Sequence, residues 1–250
     1  MKLLNSFLFA VLAITVEAEF IHIDWSKVKP ISELPEFKAA LKNVAPVNNF
    51  NLNRRKPIVG GKQATVSQFA YQAGLLLTAS GSNYLCGGSL ISRTRVLTAG
   101  HCAKGISSAV VILGANNIHA YESSQVRMNV PGSGFVYHPQ YDSTSLKNDI
   151  AMIRLPSSVV YNNKISPIAL PEGTNDFVGI TAVASGWGES EQSSSFLRFV
   201  NLKVIENSRC RTDLFYDNIY DSTICAIGER NVGACFGDSG NIIQLFFKCV

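Results

Sequence analysis

After residue 18 the chain has no apolar run of membrane-spanning length, and even Ile242–Phe247, six residues long, reads as a strand. It has no CxxC pair and no HExxH, and its 4 His are scattered, which argues against a zinc site. No Asn-x-Ser/Thr sequon is present, so N-glycosylation is not expected. There is no internal repeat, no heptad pattern, no Gly-rich phosphate loop and no EF-hand loop. Charge is scarce, at 16% Asp, Glu, Lys and Arg, and its small excess is local. Residues 19–57 hold seven Lys/Arg against four Asp/Glu, whereas residues 58–250 hold fourteen against thirteen. A nearly neutral body makes no case for binding nucleic acid or for polybasic attachment to a membrane.

What is there is a folded chain of 250 residues, 46% hydrophobic and 10% aromatic, enough for one large domain or two small ones. Residues 1–18 read as a secretory signal peptide. Lys2 precedes an apolar stretch from Leu3 to Val16, and Val16 and Ala18 supply the small residues of a cleavage site before Glu19. Export puts the 6 Cys in an oxidising compartment, where an even number indicates disulfides. Residues 19–57 differ from the remainder of the chain: Pro30, Pro35 and Pro46 interrupt them, and they contain no cysteine. Within them Ser32–Lys42 can form a helix, with Leu34, Phe37 and Leu41 spaced to share one face. The basic run Arg54-Arg55-Lys56 then offers an exposed cut site, so 19–57 is read as a propeptide, with a plain linker as the alternative. From Ile58 onward short apolar or alternating runs are separated by Gly, Ser, Asn and Pro. Tyr71–Thr78, Ser89–Thr98, Ala109–Gly114, Ile150–Leu155, Thr181–Gly186 and Phe199–Ile205 are examples, and they predict an all-β barrel or sandwich.

Three segments carry chemistry. Leu97-Thr98-Ala99-Gly100-His101-Cys102 sets a His beside a disulfide candidate. Asn148-Asp149-Ile150-Ala151 sets an Asp at the mouth of an apolar strand, and Gly237-Asp238-Ser239-Gly240 sets a Ser between glycines. Each alone has a structural explanation: a satisfied His, a turn Asp, a loop. Together their order, His then Asp then Ser, is one of the sequential arrangements of a catalytic triad.

With Ile58-Val59-Gly60-Gly61, Cys86-Gly87-Gly88-Ser89-Leu90 and Ser185-Gly186-Trp187-Gly188 added, the sequence resembles the chymotrypsin-like serine proteases (the trypsin/chymotrypsin family) of the arthropod digestive type. The resemblance implies two antiparallel six-stranded β-barrels and a secreted endopeptidase zymogen. His101, Asp149 and Ser239 would be its triad, and Gly237 and Ser239 its oxyanion hole. It implies that Ile58, freed by cleavage, would pair its new α-amino group with Asp238. It also implies the disulfides Cys86–Cys102 and Cys210–Cys225, with Cys235 bridged to a cysteine further along. Gly233, six residues before the nucleophile, stands where trypsin-like members carry an Asp, so the pocket floor is uncharged and suits apolar or aromatic side chains. Some relatives bind calcium in the loop matching Gly114–Glu122; one carboxylate there is too few, so no metal and no cofactor are expected. The implied partners are protein or peptide substrates, an activating protease and protein protease inhibitors, with the enzyme itself a monomer.

Two departures temper the resemblance. Only eleven residues follow Ser239, where the family continues for about fifty through the rest of its second barrel. Asn241–Val250 therefore reads as a truncated or mis-spliced end, and the second barrel is expected to be incomplete. That leaves a catalytically inactive product, or a secreted non-catalytic binding protein, as the alternative to a working protease. A regulatory cascade protease is disfavoured by the cysteine-free propeptide. The other departure is Pro57 ahead of Ile58, because trypsin-like enzymes cut poorly before proline. Maturation is expected in two steps: cleavage between Arg55 and Lys56, then removal of Lys56-Pro57 by an X-Pro dipeptidyl peptidase. N-terminal sequencing of the secreted protein should find Ile58 first; a stable start at Lys56 would contradict the scheme.

Overall fold

A computed structural model describes residues 21–44, 61–173, 175–188, 195–213, 219–228 and 244–245. Two sheets dominate. The first contains β3 (Gln72–Ala79), β4 (Ser82–Ser92), β5 (Arg95–Thr98), β6 (Ser108–Leu113), β7 (Val126–Pro131), β8 (Phe135–Tyr137) and β9 (Ala151–Arg154), in the order β7-β6-β3-β4-β5-β9-β8. The run Ser89–Thr98 is not one strand. Arg93 and Thr94 turn it into the hairpin β4–β5, whose register shifts between Leu90 and Ser92.

The order closes on itself, because β7 and β8 are one strand bent at a short 3-10 turn, Gly132–Gly134. Its first half pairs with β6 and its second half with β9, so the sheet becomes a six-stranded barrel. Glycine is required at this corner. The Gly132 N–H donates to Ser107 O at 2.7 Å, and a Cβ on Gly132 would lie 2.6 Å from Ile106 O. Closure removes the exposed strand edges that would invite aggregation.

The barrel is filled by alternate side chains. Along β3, Ala73, Leu75, Leu77 and Ala79 join Leu90, Val96, Val111 and Ile153 in one buried cluster. The other face of β3 is covered too. Gln72 is buried there, with its Oε1 accepting from Ser185 Oγ at 2.7 Å, and Ser185 belongs to the second sheet. A second cluster, including Phe69, Tyr71, Ile112, Val183, Trp187 and Leu197, cements the two sheets together. Coverage on both faces is why Ala73–Leu77 reads as a continuous apolar run without polar alternation.

The second sheet runs β12 (Cys225–Ile227), β11 (Arg198–Ile205), β10 (Thr181–Gly186), β13 (Gln244–Leu245), with β2 (Lys62–Gln63) also paired to β11. Among the described residues it is open, five strands against the six of the closed barrel. The expected strand at Ile242–Phe247 is present as β13, antiparallel to β10 through Ala182–Leu245 and Val183–Gln244. The Cys210–Cys225 disulfide ties α2 (Asn207–Asp213) to β12.

Residues 21–44 pack on the first barrel. β1 (Val28–Pro30) adds in parallel to β4, pairing Val28 with Asn83 and Pro30 with Leu85. The helix expected at Ser32–Lys42 is α1, Pro35–Val44, preceded by a 3-10 turn over Ile31–Glu33. Pro35 explains the later start. It has no N–H to donate and its fixed φ suits the first helical position, while it disfavours a helical residue before it. Ile31, Leu34 and Phe37 are at most 6% exposed and join the barrel's own core cluster, with Leu41 packed against it. Burial of a side chain this size is worth about 1.5–3 kcal/mol, so the segment is anchored like any other element.

Leu77 is fully buried at the centre of the barrel, 0% exposed. Leu77→Ala should cost about 2–5 kcal/mol, since barrel strands can collapse only partly into the void. Denaturant unfolding followed by circular dichroism measures it, and a loss below about 1 kcal/mol would mean that the barrel is loosely packed.

Candidate active site

The site begins with a register. β5 and β9 are antiparallel, with Arg95 opposite Arg154 and Thr98 opposite Ala151. Continuing that ladder past its last pair brings Gly100 opposite Asp149. The chain after β5 and the chain before β9 are thus forced side by side, 48 residues apart in sequence. Gly100 has no side chain for a reason of space: a Cβ there would sit 3.1 Å from Asp149 Oδ1 and 3.0 Å from the Tyr141 ring.

On this frame Gly100–Cys102 forms a 3-10 turn, pinned by the disulfide from Cys102 to Cys86 on β4. Thr98 steadies its base, with Oγ1 donating to Gly87 O at 2.8 Å in the interior. On the other side Asn148 takes a left-handed conformation, φ 57°, and its Nδ2 donates to Gln140 O at 2.9 Å. Asparagine tolerates that region better than most residues. The result is that Asp149 is presented sideways to the turn instead of continuing β9.

Asp149 then grips His101 twice. Its Oδ1 accepts the His101 backbone N–H at 2.7 Å, and its Oδ2 lies 2.7 Å from His101 Nδ1. A carboxylate has no proton to give, so Nδ1 must carry one, and Nε2 is left as the free acceptor of the neutral ring. His101 is buried, while Asp149 keeps 23% of its side-chain exposure. Nε2 is itself buried and has no hydrogen-bond partner among the described residues. A bare, oriented imidazole nitrogen of this kind is equipped to take a proton from an incoming hydroxyl. Tyr141 stands beside the pair, its phenol pushed above its ordinary range by burial and by the negative charge of Asp149, Glu36 and Asp142. One face of the His101 ring is covered by Phe37 of α1, with ring centroids 4.0 Å apart and planes 6° from parallel.

The sulfurs of Cys86 and Cys102 lie near His101, but they are joined to each other, which leaves no thiolate for a metal. The loop Gly114–Glu122 is held by protein groups. Glu122 accepts from the N–H groups of Asn116 and Asn117 at 3.1 and 2.9 Å. Gln125 Nε2 donates to the carbonyls of Asn117 and Ala120, and Arg127 Nη2 also donates to Ala120 O. The guanidinium places positive charge and N–H donors on the carbonyl side of that loop.

Of the residues singled out from the sequence, His101 and Asp149 are brought together, and both expected disulfides, Cys86–Cys102 and Cys210–Cys225, are formed. Ser239, Gly237, Asp238, Gly233, Ile58 and Cys235 lie outside the described residues. Gly100, Tyr141 and Phe37 also belong to the site, and sequence motifs assign none of them a role of its own. Gly100 lies inside a recognised block, so the extrapolated strand register could have pointed to it. Nothing local signals the other two.

A closed antiparallel barrel carrying a part-buried His–Asp couple on adjoining loops, joined to a second β-sheet, is the frame of a chymotrypsin-like hydrolase. Comparison with known proteins agrees. The model of the trypsin family matches residues 58–241. Brachyurin of Leptuca pugilator is 38% identical over 187 residues, covering 73% of this chain and 79% of brachyurin. Collagenase of Hypoderma lineatum is 37% identical over 207 residues, covering 81% of this chain and 77% of the collagenase. The solved structure of HL collagenase superposes with a TM-score of 0.69 at 36% identity, covering 75% of this chain and 81% of that one. The chain belongs to the trypsin family of chymotrypsin-like serine endopeptidases.

Proposed function

We propose that this protein is a secreted endopeptidase zymogen that hydrolyses peptide bonds through His101, Asp149 and Ser239. The reading is carried by the Asp149–His101 couple, because the two 2.7 Å contacts fix the ring's orientation and its tautomer together. Ser239 Oγ attacks the scissile carbonyl carbon while His101 Nε2 accepts the hydroxyl proton. The N–H groups of Gly237 and Ser239 hold the oxyanion, and one such donor is worth about 3 kcal/mol in related hydrolases. The imidazolium, stabilised by Asp149, then protonates the leaving amine as the C–N bond breaks. Water, deprotonated by the same Nε2, attacks the acyl ester carbon, and the imidazolium returns the proton to Ser239 Oγ as its ester C–O bond breaks.

Residues 1–18 act as the signal peptide and 19–57 as the propeptide. Cleavage frees the Ile58 α-amino group to pair with Asp238. A buried charge pair is costly to leave half-made, so forming it can organise the neighbouring oxyanion loop. Gly233 leaves the primary pocket without charge and directs cleavage after large apolar or aromatic residues. The enzyme works as a monomer on dietary protein, subject to protein inhibitors that occupy the same cleft.

A fluorophosphonate labels only a serine whose proton is removed by a working base. The activated protein should label at Ser239, and Ser239→Ala should abolish labelling. Asp149→Asn should lower kcat by about 10⁴-fold, the loss known for this family's triad when the carboxylate becomes an amide and the ring takes the wrong tautomer. Absence of labelling in the activated wild-type chain would overturn the reading and favour a secreted, non-catalytic protein.

A further inference from the structure

The region that defines the family begins at Ile58, yet Ile31, Leu34 and Phe37 are part of the first barrel's own core cluster. Their anchors are spread along the whole segment. The Ile21 carbonyl accepts from Arg127 Nη1 at 3.0 Å, and Trp25 stacks on His119 at 4.5 Å. β1 continues the sheet beside β4, and Ile31 and Leu34 are 0% and 5% exposed. These contacts deliver Phe37 face to face onto the His101 imidazole, where it is 6% exposed.

We propose that residues 21–44 are a docked inhibitory segment, in which Phe37 occupies the face of His101 that a substrate side chain would need. The inference rests on the catalytic reading of His101 given above. A docked helix is a poor substrate as well as a good plug. Its carbonyls and N–H groups are spent on one another, as in Lys38 N–H to Leu34 O at 2.8 Å, whereas the cleft must take up an extended backbone. The segment has no cysteine, so no disulfide holds it. After cleavage downstream it stays by these non-covalent contacts alone. Activation then requires two events, the cut before Ile58 and the departure of residues 21–44, and the released segment can rebind in trans.

The test is modification of imidazole by diethyl pyrocarbonate in the full chain, read residue by residue by mass spectrometry, with the more accessible His138 as internal reference. In the wild-type chain His101 should react at least tenfold more slowly than His138. Phe37→Ala should accelerate His101 about tenfold and leave His138 unchanged, and Phe37→Leu should fall between. A thermal melt checks that the variants are folded. Should Phe37→Ala not fold, the wild-type chain decides alone: His101 reacting as fast as His138 overturns the proposal. So does a folded Phe37→Ala in which His101 stays protected, because the ring would then be covered by something else. This readout needs no catalysis. Protection by Phe37 combined with failure of fluorophosphonate labelling after activation would uphold the docking and overturn only the catalytic assignment.

Discussion

One carboxylate organises this site. Asp149 accepts a backbone N–H and an imidazole N–H from the same residue, and both contacts are 2.7 Å long. The backbone contact fixes the turn that carries His101, and the ring contact fixes the tautomer. Neither would form without the β5–β9 ladder, and that ladder depends on a barrel that closes. Closure in turn depends on the bend at Gly132–Gly134, which passes one strand from β6 to β9. The chemistry at His101 is therefore supported through a chain of backbone pairings that reaches a glycine corner in another part of the barrel.

Much of this was legible in the chain before any coordinates. The blocks around His101 and Asp149 are short and specific, and their role is local: a turn with a disulfide on one side, a strand mouth on the other. The strands Thr181–Gly186 and Phe199–Ile205 announce themselves by composition and fall within a residue of the observed bounds. Boundaries failed where a local rule was outweighed. Ser89–Thr98 reads as one run because apolar residues stand in both arms of the β4–β5 hairpin, while Arg93-Thr94 marks the turn. Pro35 moved the start of α1, which is a local effect that the helical spacing of Leu34, Phe37 and Leu41 does not reveal.

Long-range relations were not legible. Val126–Pro131 alternates apolar and polar residues as a strand should, but its union with Phe135–Tyr137 across a glycine bend is a property of the closed barrel. Tyr141 joins the site because the turn before Asp149 folds back over Gly100. Phe37 is the sharpest case. Its spacing says that it lies on an apolar helix face, and that is true, but the surface it meets includes an imidazole far along the chain, at His101. Periodicity says which side of a helix is buried and is silent about what buries it.

The whole site stands on the state of the His101 ring. Nitrogen-15 NMR of the imidazole in the full chain reports which nitrogen carries the proton in the neutral form. The geometry predicts a protonated, hydrogen-bonded Nδ1 with a strongly downfield proton and a bare Nε2, a pattern that Asp149→Asn abolishes. A proton on Nε2 in the wild-type ring would contradict this, because Asp149 would then not be holding the ring as a base.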